Sequence, residues 1–210
     1  MSCDAAGVEK AIRAAAATVA EHRVELTHLD REIGDGDHGE NLSRGFTAVL
    51  GKLDAAKPQT PGAVLKLVAT TLISTVGGAA GPLFGTAFLR AATSVGDAET
   101  LDAAAVVTAL TAARDGVVAR GKAESGDKTM VDALTPAVAA ARTAADSGGS
   151  VAVVLGAAAE AAAGGATATI PMQARKGRAS YLGERSIGHL DPGATSTGYL
   201  LAALADVASA

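Results

Sequence analysis

The chain is 210 residues long, 49% hydrophobic yet only 2% aromatic, with 25 glycines, one cysteine and a formal net charge of −4. A single cysteine excludes a disulfide framework and fits a reducing, cytoplasmic setting, while the acidic balance and few aromatics exclude a nucleic-acid surface of phosphate-neutralising cations and stacked bases. The opening MSCDAAGVEK has no basic segment leading into an apolar run, so no signal peptide is read there, and the length suits one domain, 1–210, with its own core.

Alanine dominates the composition and forms helices best, because it loses no side-chain entropy. In chain order, Val8, Ile12, Ala16, Val19 and Leu26 fall on one helical face, and Leu42, Phe46, Val49 and Leu53 on another. Thr60-Pro61 reads as an N-cap with proline at the first helical position, opening a helix through Val76. A helix follows from Leu83 to Val95, then one capped by Thr100 that runs through Val106, Leu110 and Val118. Met130 to Ala145 (kinked at Pro136), Ser150 to Ala168, and a last helix through Leu200, Leu204 and Val207 complete the series. No strand alternation and no fixed repeat emerge, so the expected fold is all-α, about eight amphipathic helices packed closely through small residues. The uncharged stretch from Leu67 to Leu89 is long enough to span a bilayer. Gly77, Gly78, Gly81 and Pro82 interrupt it, no other stretch competes, and no membrane is expected.

Two stretches break the helical rhythm. REIGDGDHGEN, from Arg31 to Asn41, concentrates acids with glycine. Asp30, Asp35 and Asp37 placed together repel one another unless a cation lies between them. Hard oxygen ligands suit Mg²⁺ or Ca²⁺. An EF-hand register would need glutamate at Phe46 or Asn41, so magnesium shared with phosphate is the better fit, set against a plain Asp/Gly turn that caps the next helix. The turn also matches G-x-G-x-x-G from Gly34 to Gly39, but it follows a helix and sets two acids where pyrophosphate would lie. His38 reads equally as a ligand or as a backbone-bonded helix-start residue.

The second break, Ala174 to Ser196, is long, basic and rich in glycine; such a loop inside a compact chain is usually either functional or disordered, and its mixture of Arg, Lys, His, Tyr and Asp favours function. Its Lys176, Arg178 and Arg185 suit phosphate, with Lys176 as readily a solvated charge. Gly121 to Thr129 is a near miss for a P-loop, because Asp127 splits the Gly-Lys-Thr junction. That turn and Gly77–Pro82 are each either ordinary helix connections or anion-binding backbone. From the residues alone, the chain is an all-α protein that binds a magnesium–phosphate compound.

LDREIGDGDHGENLSRGF, GPLFGTAFLRAA, GKAESGDKTMVDAL and MQARKGRASYLGERSIGHLDPGATS together resemble the L-subunit family of dihydroxyacetone kinases, along essentially the whole chain. The resemblance is to the stand-alone, ADP-binding kind found in phosphoenolpyruvate-dependent bacterial enzymes. It implies an antiparallel barrel of eight helices with the nucleotide at one end, and two Mg²⁺ ions on Asp30, Asp35 and Asp37. It implies ADP or ATP as a tightly bound cofactor lined by His38, Gly39, Glu40, Asn41, Ala79, Ala80, Gly121, Met130, Arg178, Asp191, Pro192 and Gly193. It further implies that phosphoryl groups arrive from a phosphohistidine M subunit and leave to dihydroxyacetone on a K subunit. Arg178 is then the catalytic cation, and the base for the substrate hydroxyl belongs to the partner.

Two residues depart from the family pattern: Ala80 where serine is usual, and Glu40 where an uncharged residue is usual. Glu40 is expected to point outward. Two other roles fit the same resemblance: an ATP-using component of a related triose or tetrose kinase, and a nucleotide-loaded partner of a transcription regulator.

Overall fold

A computed structural model describes residues 3–210, so the first two residues of the opening decapeptide lie outside it. Among the described residues the elements are nine α-helices and one 3₁₀ helix: α1 (Ala5–Glu21), α2 (Arg23–Ile33), α3 (His38–Ala56), α4 (Pro61–Thr75), α5 (Ala80–Val95), α6 (Ala103–Gly121), α7 (Val131–Asp146), α8 (Val151–Ala168), the 3₁₀ segment Arg178–Ser186, and α9 (Pro192–Ser209). Among the described residues there is no strand, only an isolated bridge between Asp4 and Thr100. The all-α expectation holds.

Each helix from α3 to α9 packs on the next, α9 returns to α1, and α1 packs on α3 and α4, so eight helices close into a ring. Short turns make sequential neighbours antiparallel, and the ring is therefore a barrel with two ends. Small residues permit the close approach. A Cβ on Gly39 would stand 2.0 Å from the Arg23 carbonyl, which holds α3 against α2. The barrel encloses Phe46, Ile12, Leu26, Leu42 and Leu72, all almost fully buried. So few aromatics leave the centre incompletely filled, and an apolar cavity of about 180 Å³ opens among Ile12, Phe84, Leu134 and Leu200.

The two ends differ chemically. The helices that start at one end, α1, α4, α6 and α8, each open on a side-chain cap: Asp4, Thr60, Asp102 and Ser150. At the opposite end the N-cap residues of α3, α5 and α7 make no such bond, while Asp191 caps α9. Asp30 and Thr129 nevertheless accept the first amides of α3 and α7, so it is α5 whose opening amides meet no side-chain cap, a feature that favours anions.

Several element boundaries differ from the sequence reading. The face from Val8 to Leu26 is broken at His22, whose ring stacks on Tyr199 at 3.9 Å between centroids, while Tyr199 donates a 2.9 Å hydrogen bond to Glu25. The cap of α6 is Asp102 rather than Thr100, because the Asp102 carboxylate accepts the Ala105 amide at 2.8 Å while Thr100 bridges to Asp4. Helix α5 begins at Ala80, three residues before Leu83, whereas α7 contains Pro136 as the sequence reading has it. The loop 31–41 shrinks to 34–37, and the 174–196 stretch contains the 3₁₀ segment and the start of α9.

The uncharged stretch 67–89 divides into the end of α4, a turn and α5. Among the described residues the helix long and apolar enough to cross a membrane is instead α8, which the sequence reading passed over. Its Val154, Ala158, Ala162 and Ala166 are buried, and it packs on α7 and α9.

Candidate functional site

The end at which α3, α5, α7 and α9 start carries two adjoining cavities. The first, about 180 Å³, is lined by Asp30, Asp35, Asp37 and His38, the 77–80 turn, Lys176 to Ala179, and Asp191 to Gly193. The second, about 280 Å³, is largely apolar, with Pro82, Leu83, Val117, Ala123, Met130 and Val131 in its wall. Ala79, Leu83, Thr129, Met130, Lys176 and Gly177 border both. An acidic chamber thus opens onto an apolar one, an arrangement suited to a ligand with a charged end and a flat greasy end.

The acidic chamber is built by a sharp turn between α2 and α3. Asp30, in the last turn of α2, is buried and accepts the amides of Asp37 at 2.8 Å and His38 at 3.1 Å. This folds the turn back so that one oxygen from each of Asp30, Asp35 and Asp37 lies within 4.8 Å of the others. Glycine is required twice. A Cβ on Gly34 would sit 2.1 Å from the Asp30 carboxylate, and Gly36 adopts φ +74°, which glycine alone takes at little cost. Three convergent carboxylate oxygens are hard donors, the set a small divalent cation prefers. Arg178, 64% exposed, places a guanidinium nitrogen 2.8 Å from Asp35 and supplies positive charge to the cluster from the loop above.

His38 is held at both ends of its residue. Its amide bonds Asp30, and its Nε2 lies 2.9 Å from the Ser196 hydroxyl of α9. Burial lowers its pKa, against the pull of Asp30 and Asp37. Asp191 caps α9 by accepting the Ala194 amide at 2.7 Å. Burial raises its pKa from the ordinary 3.8 to about 7; the Ala194 amide and Lys128 oppose the rise, and Asp132 adds to it.

Most of the expected residues converge. Asp30, Asp35, Asp37, His38, Ala79, Ala80, Met130, Arg178, Asp191, Pro192 and Gly193 line the acidic chamber, and Gly121 lines the apolar one. Gly39, Glu40 and Asn41 do not line either. Gly39 is spent on the α2–α3 contact. Glu40 is exposed and ion-paired to Arg23, so it points outward as expected. Asn41 lies beneath Gly77 and accepts a 2.6 Å bond from Arg44, which places it under the 77–80 turn rather than in the chamber.

Sequence reasoning missed Lys128, Thr129 and Ser196. Lys128 stood in the P-loop-like turn, but its side chain runs inward and is 1% exposed. Its backbone is left-handed, at φ +62°.

The DAK2 domain family matches residues 32–206. The ADP-binding subunit DhaL of the PEP-dependent dihydroxyacetone kinase from Escherichia coli K12 is 52% identical over 180 residues, covering 86% of each chain. The corresponding subunit from Lactococcus lactis, of a PTS-dependent enzyme, is 41% identical over 189 residues, covering 90% of each. Among solved structures, the dihydroxyacetone kinase of C. freundii in complex with AMP-PNP and Mg²⁺ superposes with a TM-score of 0.73 at 25% identity, over 98% of this chain. The chain spans about a third of that enzyme, 34% of its length. A match over most of the chain, with 52% identity across the 180 residues aligned to the E. coli subunit, gives the assignment: the chain belongs to the DAK2 family and, within it, to the DhaL group of dihydroxyacetone kinase subunits.

Proposed function

We propose that this chain is the nucleotide-holding, phosphoryl-transfer subunit of a dihydroxyacetone kinase, with ADP or ATP and two Mg²⁺ ions as resident cofactors. The observation that carries the proposal is the junction of the carboxylate chamber with the apolar one across Met130 and Ala79. In this reading Asp30, Asp35 and Asp37 hold the metal, Met130, Leu83 and Val117 form walls for the purine, and the uncapped start of α5 faces the phosphates. Bound magnesium would neutralise phosphate charge and steady a loose transition state.

The chain's own residues then do three things. Asp30 orders the turn through two amides and so fixes the other two carboxylates. Arg178, on an exposed loop, offers a planar cation where negative charge builds. The 77–80 turn supplies backbone rather than a hydroxyl, because Ala80 stands where the family usually has serine. The substrate's hydroxyl proton goes to a base on a partner, since the chamber's carboxylates are committed to the metal. The phosphoryl group itself comes from a histidine nitrogen on an M subunit and ends on dihydroxyacetone held by a K subunit. The relatives' names as ADP-binding subunits of PEP- and PTS-dependent kinases support this relay. The lone thiol fits a cytoplasmic location.

Asp35→Ala and Asp37→Ala test the assignment. Each should abolish phosphoryl transfer and loosen the nucleotide, read by turnover with the complete kinase and by nucleotide content after gel filtration. Full turnover in either variant would remove the metal from the proposal.

A further inference from the structure

We infer that Lys128 is a positioning residue: its buried side chain pins the neck of the 170–191 loop to the α6–α7 turn, and so sets Arg178 and the start of α9 over the carboxylate cluster. The inference rests on the proposed function only for its catalytic readout.

Lys128 is the one cation among the buried charged residues described; the others are Asp30, Asp127, Asp132 and Asp191. Burying an ammonium is costly unless hydrogen bonds and opposite charge replace its water. Both are present. Its Nζ donates to the Thr169 carbonyl at 2.6 Å and to the His189 carbonyl. Asp191 stabilises its charge against the desolvation that lowers its pKa.

The two carbonyls mark the root of the loop. Thr169 follows the end of α8, and His189 stands two residues before the cap of α9. Between these points lie the basic residues Arg175, Lys176, Arg178 and Arg185. Three further bonds reinforce the same neck: Arg175 N–H to the Asp127 carbonyl at 3.0 Å, Gly188 N–H to the Ile170 carbonyl at 2.8 Å, and Asp191 N–H to the Thr169 hydroxyl at 2.9 Å. The Gly188 and Asp191 bonds join the two strands of the neck to each other, and the Lys128 side chain ties both strands to the α6–α7 turn.

The turn that presents Lys128 is itself wrapped tightly. Asp132 accepts the amides of Gly126 at 2.5 Å and Thr129 at 2.8 Å, and Asp127 accepts the Glu124 amide at 2.8 Å. Lys128 adopts φ +62°, a left-handed backbone that an ordinary side chain avoids. This conformation aims the side chain inward while its neighbour Met130 faces both cavities. One lysine therefore links the apolar wall, the root of the Arg178 loop and the cap of α9.

The test compares wild type, Lys128→Met and Lys128→Gln, each alone and combined with Arg178→Ala. The first readout needs no cofactor. Nucleotide-free protein is treated with trypsin, and cleavage after Arg175, Lys176, Arg178 and Arg185 is timed. Releasing the neck raises the open population, so cleavage should quicken by about tenfold or more in the Lys128 variants. The second readout is phosphoryl transfer by the assembled kinase. Misplacing Arg178 should lower kcat by on the order of 10²-fold with KM for the sugar little changed. Adding Arg178→Ala to either Lys128 variant should then cost little more, because both act through one group.

Unchanged tryptic cleavage, or kinetic losses that simply add to those of Arg178→Ala, would overturn the inference. Failure of both single variants to fold would overturn it too, making Lys128 a folding residue. Should the wild-type protein neither hold nucleotide nor transfer phosphoryl, the proposed function falls, while the cleavage result still judges the neck.

Discussion

Asp191 gives the sharpest energetic prediction. Its carboxylate is buried at the start of α9, and its pKa stands at about 7 against an ordinary 3.8. A carboxyl whose pKa rises on folding favours the native state while protonated. That contribution is fully present below the unfolded pKa and is lost as pH climbs through the folded one. The window therefore runs from about pH 4 to about pH 7–8. A rise from 3.8 to about 7 at 1.36 kcal/mol per unit corresponds to roughly 4 kcal/mol. Asp191→Asn removes the titration and retains an oxygen able to accept the Ala194 amide. Urea unfolding of nucleotide-free wild type and variant at pH 4, 6 and 8 isolates the term, because the other carboxylates cancel in the difference. The variant should gain on wild type by roughly 4 kcal/mol from the lowest pH to the highest. Curves that stay parallel across the range would refute the reasoning and place Asp191 in contact with water or with stronger partners.

Further outcomes follow from the same site. Gly34→Ala forces a Cβ to 2.1 Å from the Asp30 carboxylate and 2.9 Å from its carbonyl; a thermal melt should show a loss of about 1–3 kcal/mol, together with weakened magnesium-dependent nucleotide retention, and an unchanged melt would contradict the turn geometry. Arg178→Ala should lower the transfer rate more than it lowers nucleotide retention, measured as kcat beside the nucleotide dissociation rate; equal losses would make Arg178 a binding residue.

Asp30, Asp35 and Asp37 were legible because a run of acids with glycines has few structural uses, and the backbone then brings three oxygens together within eight residues of chain. Arg178 was legible for a similar reason: a basic, glycine-rich stretch stood out from an alanine background. What escaped were contacts that cross the barrel. Nothing near Lys128 in sequence announces carbonyls 41 and 61 residues away, so a buried lysine looked like part of a phosphate turn. Thr100 and Asp102 are both acceptable caps by residue type, and only the bridge to Asp4 decides between them. Asn41 and Glu40 entered through family resemblance and lie outside the chamber because Arg44 and Arg23 hold them elsewhere. Closure of the barrel was legible only through resemblance, since periodicity gives faces and not the order in which they meet.

The central claim is that the paired chambers hold a resident nucleotide that cycles between two phosphorylation states. Native mass spectrometry of protein purified without added nucleotide, before and after exposure to a phosphohistidine donor, tests it most directly. The account predicts near-stoichiometric ADP in the first spectrum and its conversion to ATP, still bound, in the second. Protein that emerges empty and exchanges ATP freely with solution would contradict it.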